Sequence, residues 1–153
     1  MKEAALEEIR RLAGLYEHRR SALLPALFVA QQEAGYLSPA ALESVAEALE
    51  LPVTEVTSVA SFYGLFYLEP VGRHVVHVCT NLSCMLNGCQ RVLSRLQEVM
   101  GIRPGETTPD GRFSLRTAEC LAACEEAPAV LVDEDRWAAV SPEDLETMLD
   151  RYR

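Results

Sequence analysis

A chain of 153 residues, 49% of them hydrophobic, is long enough to bury a core and too apolar to stay disordered. Its 23 acidic and 14 basic side chains leave a formal net charge of −9, and no basic cluster offsets it, so nucleic acid is excluded as a partner while docking on a basic protein surface is compatible with it. No apolar run approaches the roughly 18 residues that a bilayer span needs.

The longest apolar candidate, Ala22 to Ala30, is interrupted by Pro25. The start, Met1-Lys2-Glu3-Ala4-Ala5-Leu6-Glu7-Glu8, is charged and has no signal-peptide core, so the expectation is a soluble, intracellular protein. The first half reads as helices. Leu6, Ile9, Leu12, Leu15 and Tyr16 follow helical spacing, with Gly14 weakening the run near its end. Ser21 is a candidate cap for a second helix that tolerates Pro25 near its first turn and stops at Gly35. Ser38-Pro39 opens a third helix with Leu42, Val45, Ala46 and Leu49 on one face. Pro52 opens a fourth, holding Val56, Val59 and Ala60. The aromatic stretch Phe62, Tyr63, Phe66 and Tyr67 reads as packing between two halves.

Glu69-Pro70-Val71-Gly72 punctuates the chain. It divides an N-terminal helical domain, 1–70, from a second domain, 71–153. In the second, Arg73 to Cys79 is β-rich. Leu86, Cys89, Leu93, Leu96 and Met100 share a helical face that ends at Gly101. Phe113 to Thr117, Ala129 to Val132 and Arg136 to Val140 read as strands, and Ser141-Pro142 starts a last helix. The expected class is α/β (α+β): a helical bundle, then βαβ followed by ββα.

The five cysteines are Cys79, Cys84, Cys89, Cys120 and Cys124. An odd number without an export signal argues against a disulfide framework. A crossover helix should make the first two strands parallel, so Cys79-x4-Cys84 and Cys120-x3-Cys124 converge on one sheet edge. Four thiolates suit zinc or an iron–sulfur cluster. Structural zinc usually takes a CxxC knuckle, whereas these wider gaps let each loop pass around one iron of a [2Fe–2S] rhomb. Zinc and unligated thiols stay open on spacing alone. Thiol–disulfide exchange is discounted because CxxC is absent. Cys89 shares the apolar face of Leu86 and Leu93 and reads as a core cysteine. His18, His74 and His77 form no ligand pair. There is no GxGxxG to mark a nucleotide site.

Five stretches carry a resemblance. They are Gln31-x3-Gly35-Tyr36-Leu37, Val56-x2-Val59-Ala60-Ser61-Phe62-Tyr63 and Cys79-x4-Cys84, then Pro104 to Gly111 with Phe113, and Glu119-Cys120-Leu121-x2-Cys124-x3-Pro128. Together they resemble the E subunit family of respiratory NADH:quinone oxidoreductase over nearly the whole chain. The resemblance implies a helical N-terminal part, a thioredoxin-like domain, and one [2Fe–2S] cluster held by Cys79, Cys84, Cys120 and Cys124. It implies a non-catalytic electron-transfer subunit that docks on a flavin-containing, NADH-binding subunit, with no NADH or quinone site of its own. It also implies a cytoplasmic place, peripheral to the inner membrane through the parent complex. The same module occurs in NAD-dependent formate dehydrogenases and NAD-linked hydrogenases, so those remain alternatives, as does a structural four-cysteine zinc module. Whether isolated copies pair as a homodimer is left open. Ala122 stands where the family commonly has glycine.

Overall fold

The computed structural model describes residues 1–152. The chain separates into two compact units, Met1–Pro70 and the part from Val71 onward.

The first unit is helical: α1 (Glu3–Ala13), α2 (Leu23–Ala34), α3 (Pro39–Leu49) and α4 (Val53–Phe62), with a 3-10 turn at Arg19–Ala22. Ile9, Leu27, Leu37, Val45, Leu49 and Val56 are fully buried and form its core. Ser38 caps α3 through the amide of Ala41 at 3.2 Å, with Pro39 in the first turn, as the Ser-Pro pair predicts. Gly35 ends α2 at φ 79°, a left-handed value that glycine adopts without strain.

The aromatic stretch is tied down within this unit by Gln31. Its Nε2 donates to the Leu65 carbonyl at 2.9 Å and its Oε1 accepts from the Tyr67 amide at 2.7 Å. The Leu37 amide adds a bond to the Tyr67 carbonyl. Phe66 is thereby buried against Phe28, with ring centroids 4.9 Å apart. Phe62, Tyr63 and Leu65 are exposed. Two local expectations change. Leu15 and Tyr16 lie past the end of α1 and are exposed. Ser21 falls inside the 3-10 turn, and α2 starts without a side-chain cap.

The second unit runs β1 (His74–Cys79), α5 (Leu82–Leu86), α6 (Cys89–Met100), β2 (Phe113–Ala118), a 3-10 turn (Cys124–Glu126), β3 (Val130–Val132), β4 (Asp135–Trp137) and α7 (Leu145–Leu149). The strands lie in the order β2-β1-β3-β4. β1 is parallel to β2, and the other two pairings are antiparallel. This is the βαβ-ββα arrangement of a thioredoxin-like domain. Val76, Val78, Leu96, Leu115, Leu145 and Met148 form its core. β1 is the most buried strand, as a central strand paired on both sides should be.

Three elements differ from expectation. The helix read from Leu86 to Met100 is two helices, divided at Gly88 with φ 90°. Leu86 is therefore 75% exposed rather than part of the apolar face. β4 ends at Trp137, and Ala139 has φ 49°, which breaks extended pairing before Val140. Ser141 does not open α7. It bonds the Asp144 carboxylate at 2.6 Å, and the helix begins at Leu145.

His77 is buried on β1, and burial with the charge of Arg116 pushes it down to about 4 against the opposing pull of Asp133. It is neutral at pH 7 and fills a packing position.

Gly72 approaches the start of β2 at close range. Its amide donates to Ser114 Oγ at 2.8 Å. A Cβ built there would lie 2.7 Å from the Phe113 carbonyl carbon. Gly72→Ala is expected to destabilise this unit by about 2 kcal/mol through a backbone clash. Urea unfolding of the two chains measures it, and equal midpoints would refute the close approach.

Candidate metal centre

The site is built where two parallel strands finish together. Cys79 is the last residue of β1 and is paired in register with Ala118, the last residue of β2. The loops that leave both strands therefore start side by side. The first turns at once into α5, which carries Cys84. The second carries Cys120, then Cys124 at the start of the 3-10 turn.

At their base the two loops are held by Thr80. Its amide donates to the Ala118 carbonyl at 2.9 Å, and its hydroxyl reaches the same carbonyl at 3.4 Å. Cys79 Sγ lies 3.9 Å from the Glu119 carbonyl. At the far end, Ser83 Oγ donates to the Cys124 carbonyl at 2.7 Å. α5 has only five residues, far too few to be stable alone. Asn81 caps it through the Leu82 amide at 2.7 Å, and Asn87 bonds the Ser83 carbonyl at 2.8 Å.

The thiols fall into two pairs. Cys79 and Cys84 are buried, whereas Cys120 and Cys124 are exposed. The Cys84 thiol is pushed up by burial; the Ala129 backbone opposes this, while hydrogen bonding to and charge from Cys79, and then the charge of Cys89, add to the rise. Cys124 is pushed up mainly by the charge of Cys120; burial, a hydrogen bond with Cys120, and the charges of Cys79 and Glu125 add to it. Cys84 thus feels both Cys79 and Cys89, and Cys124 feels both Cys120 and Cys79. Four thiolates so placed repel one another, and a cationic metal group among them removes that penalty. Four cysteine thiolates of this kind suit zinc or an iron–sulfur cluster.

The second loop also aims a donor at sulfur. The Ala122 amide lies 3.4 Å from Cys120 Sγ, and Ala122 takes φ 52°. A left-handed alanine is strained by about 1–2 kcal/mol. Backbone amides directed at cluster sulfurs are a principal control on reduction potential.

All four sequence candidates lie at this edge, and Cys89 follows Cys84 into α6. It opens α6 fully buried, its thiol pushed up by burial and then by the charge of Cys79. His74 lies away from the thiols, with Nδ1 2.6 Å from an Asp133 carboxylate oxygen. Sequence reasoning missed the Ser83 contact, because its partner is a backbone carbonyl 41 positions away and no residue-type pattern marks a carbonyl.

Comparison with known proteins identifies the family. The family model for thioredoxin-like [2Fe–2S] ferredoxins matches residues 9–153. The E 2 subunit of NADH-quinone oxidoreductase from Rhizobium meliloti (strain 1021) is 46% identical over 147 residues, covering 96% of this chain and 88% of that protein. The E subunit of NADH-quinone oxidoreductase from Escherichia coli (strain K12) is 36% identical over 153 residues, covering all of this chain and 92% of the relative. Among solved structures, an NAD+-reducing [NiFe]-hydrogenase in the air-oxidised state aligns with TM-score 0.71 and 24% identity. That alignment covers 82% of this chain but only 22% of the longer hydrogenase chain, and it is a likeness of fold.

Cys89→Ala should leave iron and sulfide binding intact and lower stability by about 1–2 kcal/mol, the range expected for deleting a small buried group. Metal analysis and denaturant unfolding of the variant check both parts. Loss of iron from Cys89→Ala would make Cys89 part of the centre.

Proposed function

This chain belongs to the thioredoxin-like [2Fe–2S] ferredoxin family, and on that premise we propose that it is the electron-transferring E subunit of an NADH-quinone oxidoreductase, with its one [2Fe–2S] cluster held by Cys79, Cys84, Cys120 and Cys124. The observation that carries the ligand assignment is the register pair Cys79 with Ala118. It starts two cysteine loops at one point and leaves their thiols two and two. The relatives at 36% and 46% identity are named as this subunit, which favours NADH-quinone oxidoreductase over a formate dehydrogenase or hydrogenase as the parent complex.

When bound, the cluster supplies one-electron redox chemistry. The chain's own residues do the rest. Cys79 and Cys84 hold the inner side within the core, and Cys120 and Cys124 hold the outer side. The Ala122 amide offsets negative charge on Cys120. Glu119, Glu125 and Glu126 are exposed beside the outer ligands and act in the opposite sense, since added negative charge opposes an incoming electron. The sequence contains no Gly-rich nucleotide loop, so NADH oxidation is assigned to a partner. That partner is a flavin-containing, NADH-binding subunit that hands over single electrons. Leu82, Met85 and Leu86 on α5 are exposed next to Cys84, and such a face fits a subunit that docks close to the cluster. No helix among the described residues is long and apolar enough to cross a membrane. The proposed location is cytoplasmic, peripheral to the membrane through the complex.

Protein purified or reconstituted anaerobically should contain two irons and two sulfides per chain. It should show visible thiolate-to-iron absorption and give an EPR signal after dithionite reduction. Cys84→Ser should lose the native spectrum while far-UV circular dichroism keeps the helical signal. One zinc without sulfide in the wild type would sink the assignment.

Replacing Glu125 and Glu126 together by Gln should raise the midpoint potential by on the order of tens of millivolts, less at high salt because both groups are exposed. An unchanged midpoint in redox titration would remove these acids from the control of potential.

A further inference from the structure

We infer that Ser83 is a positioning residue that closes the centre by pinning the tip of one cysteine loop to the tip of the other. This rests on the ligand assignment proposed above.

The loops are joined at two levels. At the base, Cys79 and Thr80 face Ala118 and Glu119, and the parallel ladder continues into these bonds. The base is therefore secured by the sheet itself. At the tip there is no ladder. Cys84 rides on a helix of five residues whose side chains Leu82, Met85 and Leu86 are exposed. Cys124 starts a 3-10 turn of three residues and is exposed. Neither helix is long enough to be stable alone; burial of Cys84 anchors the first, and the Ala139 amide donates to the Glu126 carbonyl at 2.6 Å at the far end of the second. The 2.7 Å bond from Ser83 Oγ to the Cys124 carbonyl spans between them. Ser83 precedes one proposed ligand in sequence, and its acceptor belongs to another.

The hydroxyl is itself held in place. The Asn87 amide and Nδ2 both donate to the Ser83 carbonyl, at 3.1 and 2.8 Å. Asn81 fixes the other end of α5 through Leu82. Ser83 therefore presents its oxygen from a backbone already anchored on both sides. Opening the outer loop must break this bond, whereas the base can stay closed. Ser83 sets how often the outer ligands swing away, and so how fast the cluster is lost. It acts through the Cys124 backbone carbonyl and does not set the fold.

The test uses the full chain loaded with its cluster. Cluster loss is followed by visible absorption after adding a strong iron chelator under anaerobic conditions. Ser83→Ala should lose its cluster about fivefold faster than wild type, the factor given by one hydrogen bond of roughly 1 kcal/mol. Ser83→Thr keeps the hydroxyl and should restore the slow rate. The EPR line of reduced Ser83→Ala should broaden as the outer ligands sample more geometries. Thermal unfolding of the cluster-free Ser83→Ala and wild-type chains should coincide. Equal loss rates in wild type and Ser83→Ala would overturn the inference, as would a Ser83→Thr chain that behaves like Ser83→Ala. A lower melting temperature of the cluster-free variant would also overturn it, because the bond would then hold the fold rather than the site. A wild-type chain that carries no cluster would defeat the ligand assignment instead, and iron and sulfide analysis separates that failure from the others.

Discussion

The parallel pairing of β1 with β2 is the constraint from which the rest of the site follows. A parallel pair needs a crossover, and here the crossover holds α5, α6 and the loop before Phe113. That path separates Cys84 from Cys120 by 35 residues of sequence while the strand register puts their loops side by side. An antiparallel pairing would send the two loops to opposite edges of the sheet, and no choice of cysteine spacing could then join them. The buried apolar side chains Val76, Val78 and Leu115 fix the register. A slip of one residue would turn that set toward the other face. Core packing therefore determines where sulfur meets sulfur.

Much of this was legible in the sequence because it rests on side-chain type. β-branched runs marked β1 and β3, Ser38-Pro39 marked α3, and the crossover logic placed both cysteine pairs on one edge. The errors came where backbone conformation decides. Gly88 divides what reads as one amphipathic helix, because helical periodicity continues in the letters from Leu86 to Leu93 although the chain turns between them. β4 stops early because Ala139 adopts a left-handed conformation that its residue type does not announce. Ser21 and Ser141 both resemble caps, yet neither accepts the capping bond. The resemblance to a family supplied the cluster type and the partner. Spacing alone left zinc open, and the difference in burial between the two cysteine pairs is set by the fold and not by residue type.

The two units illustrate different ways of securing an irregular segment. In the helical unit Gln31 uses both ends of its amide to hold residues 65 to 67, so Phe66 can enter the core. In the second unit Asn81, Ser83 and Asn87 secure a helix that has almost no core of its own. In each case short polar side chains bond to backbone atoms, because a segment without a ladder still has amides and carbonyls to satisfy.

The unequal burial of the four thiols gives the site an inside and an outside. Cys79 and Cys84 belong to the core cluster, while Cys120 and Cys124 are exposed. Solvent therefore reaches the outer thiols directly and the inner thiols only past the loop that carries the outer ones, so access to the centre runs through a single flank of the sheet edge.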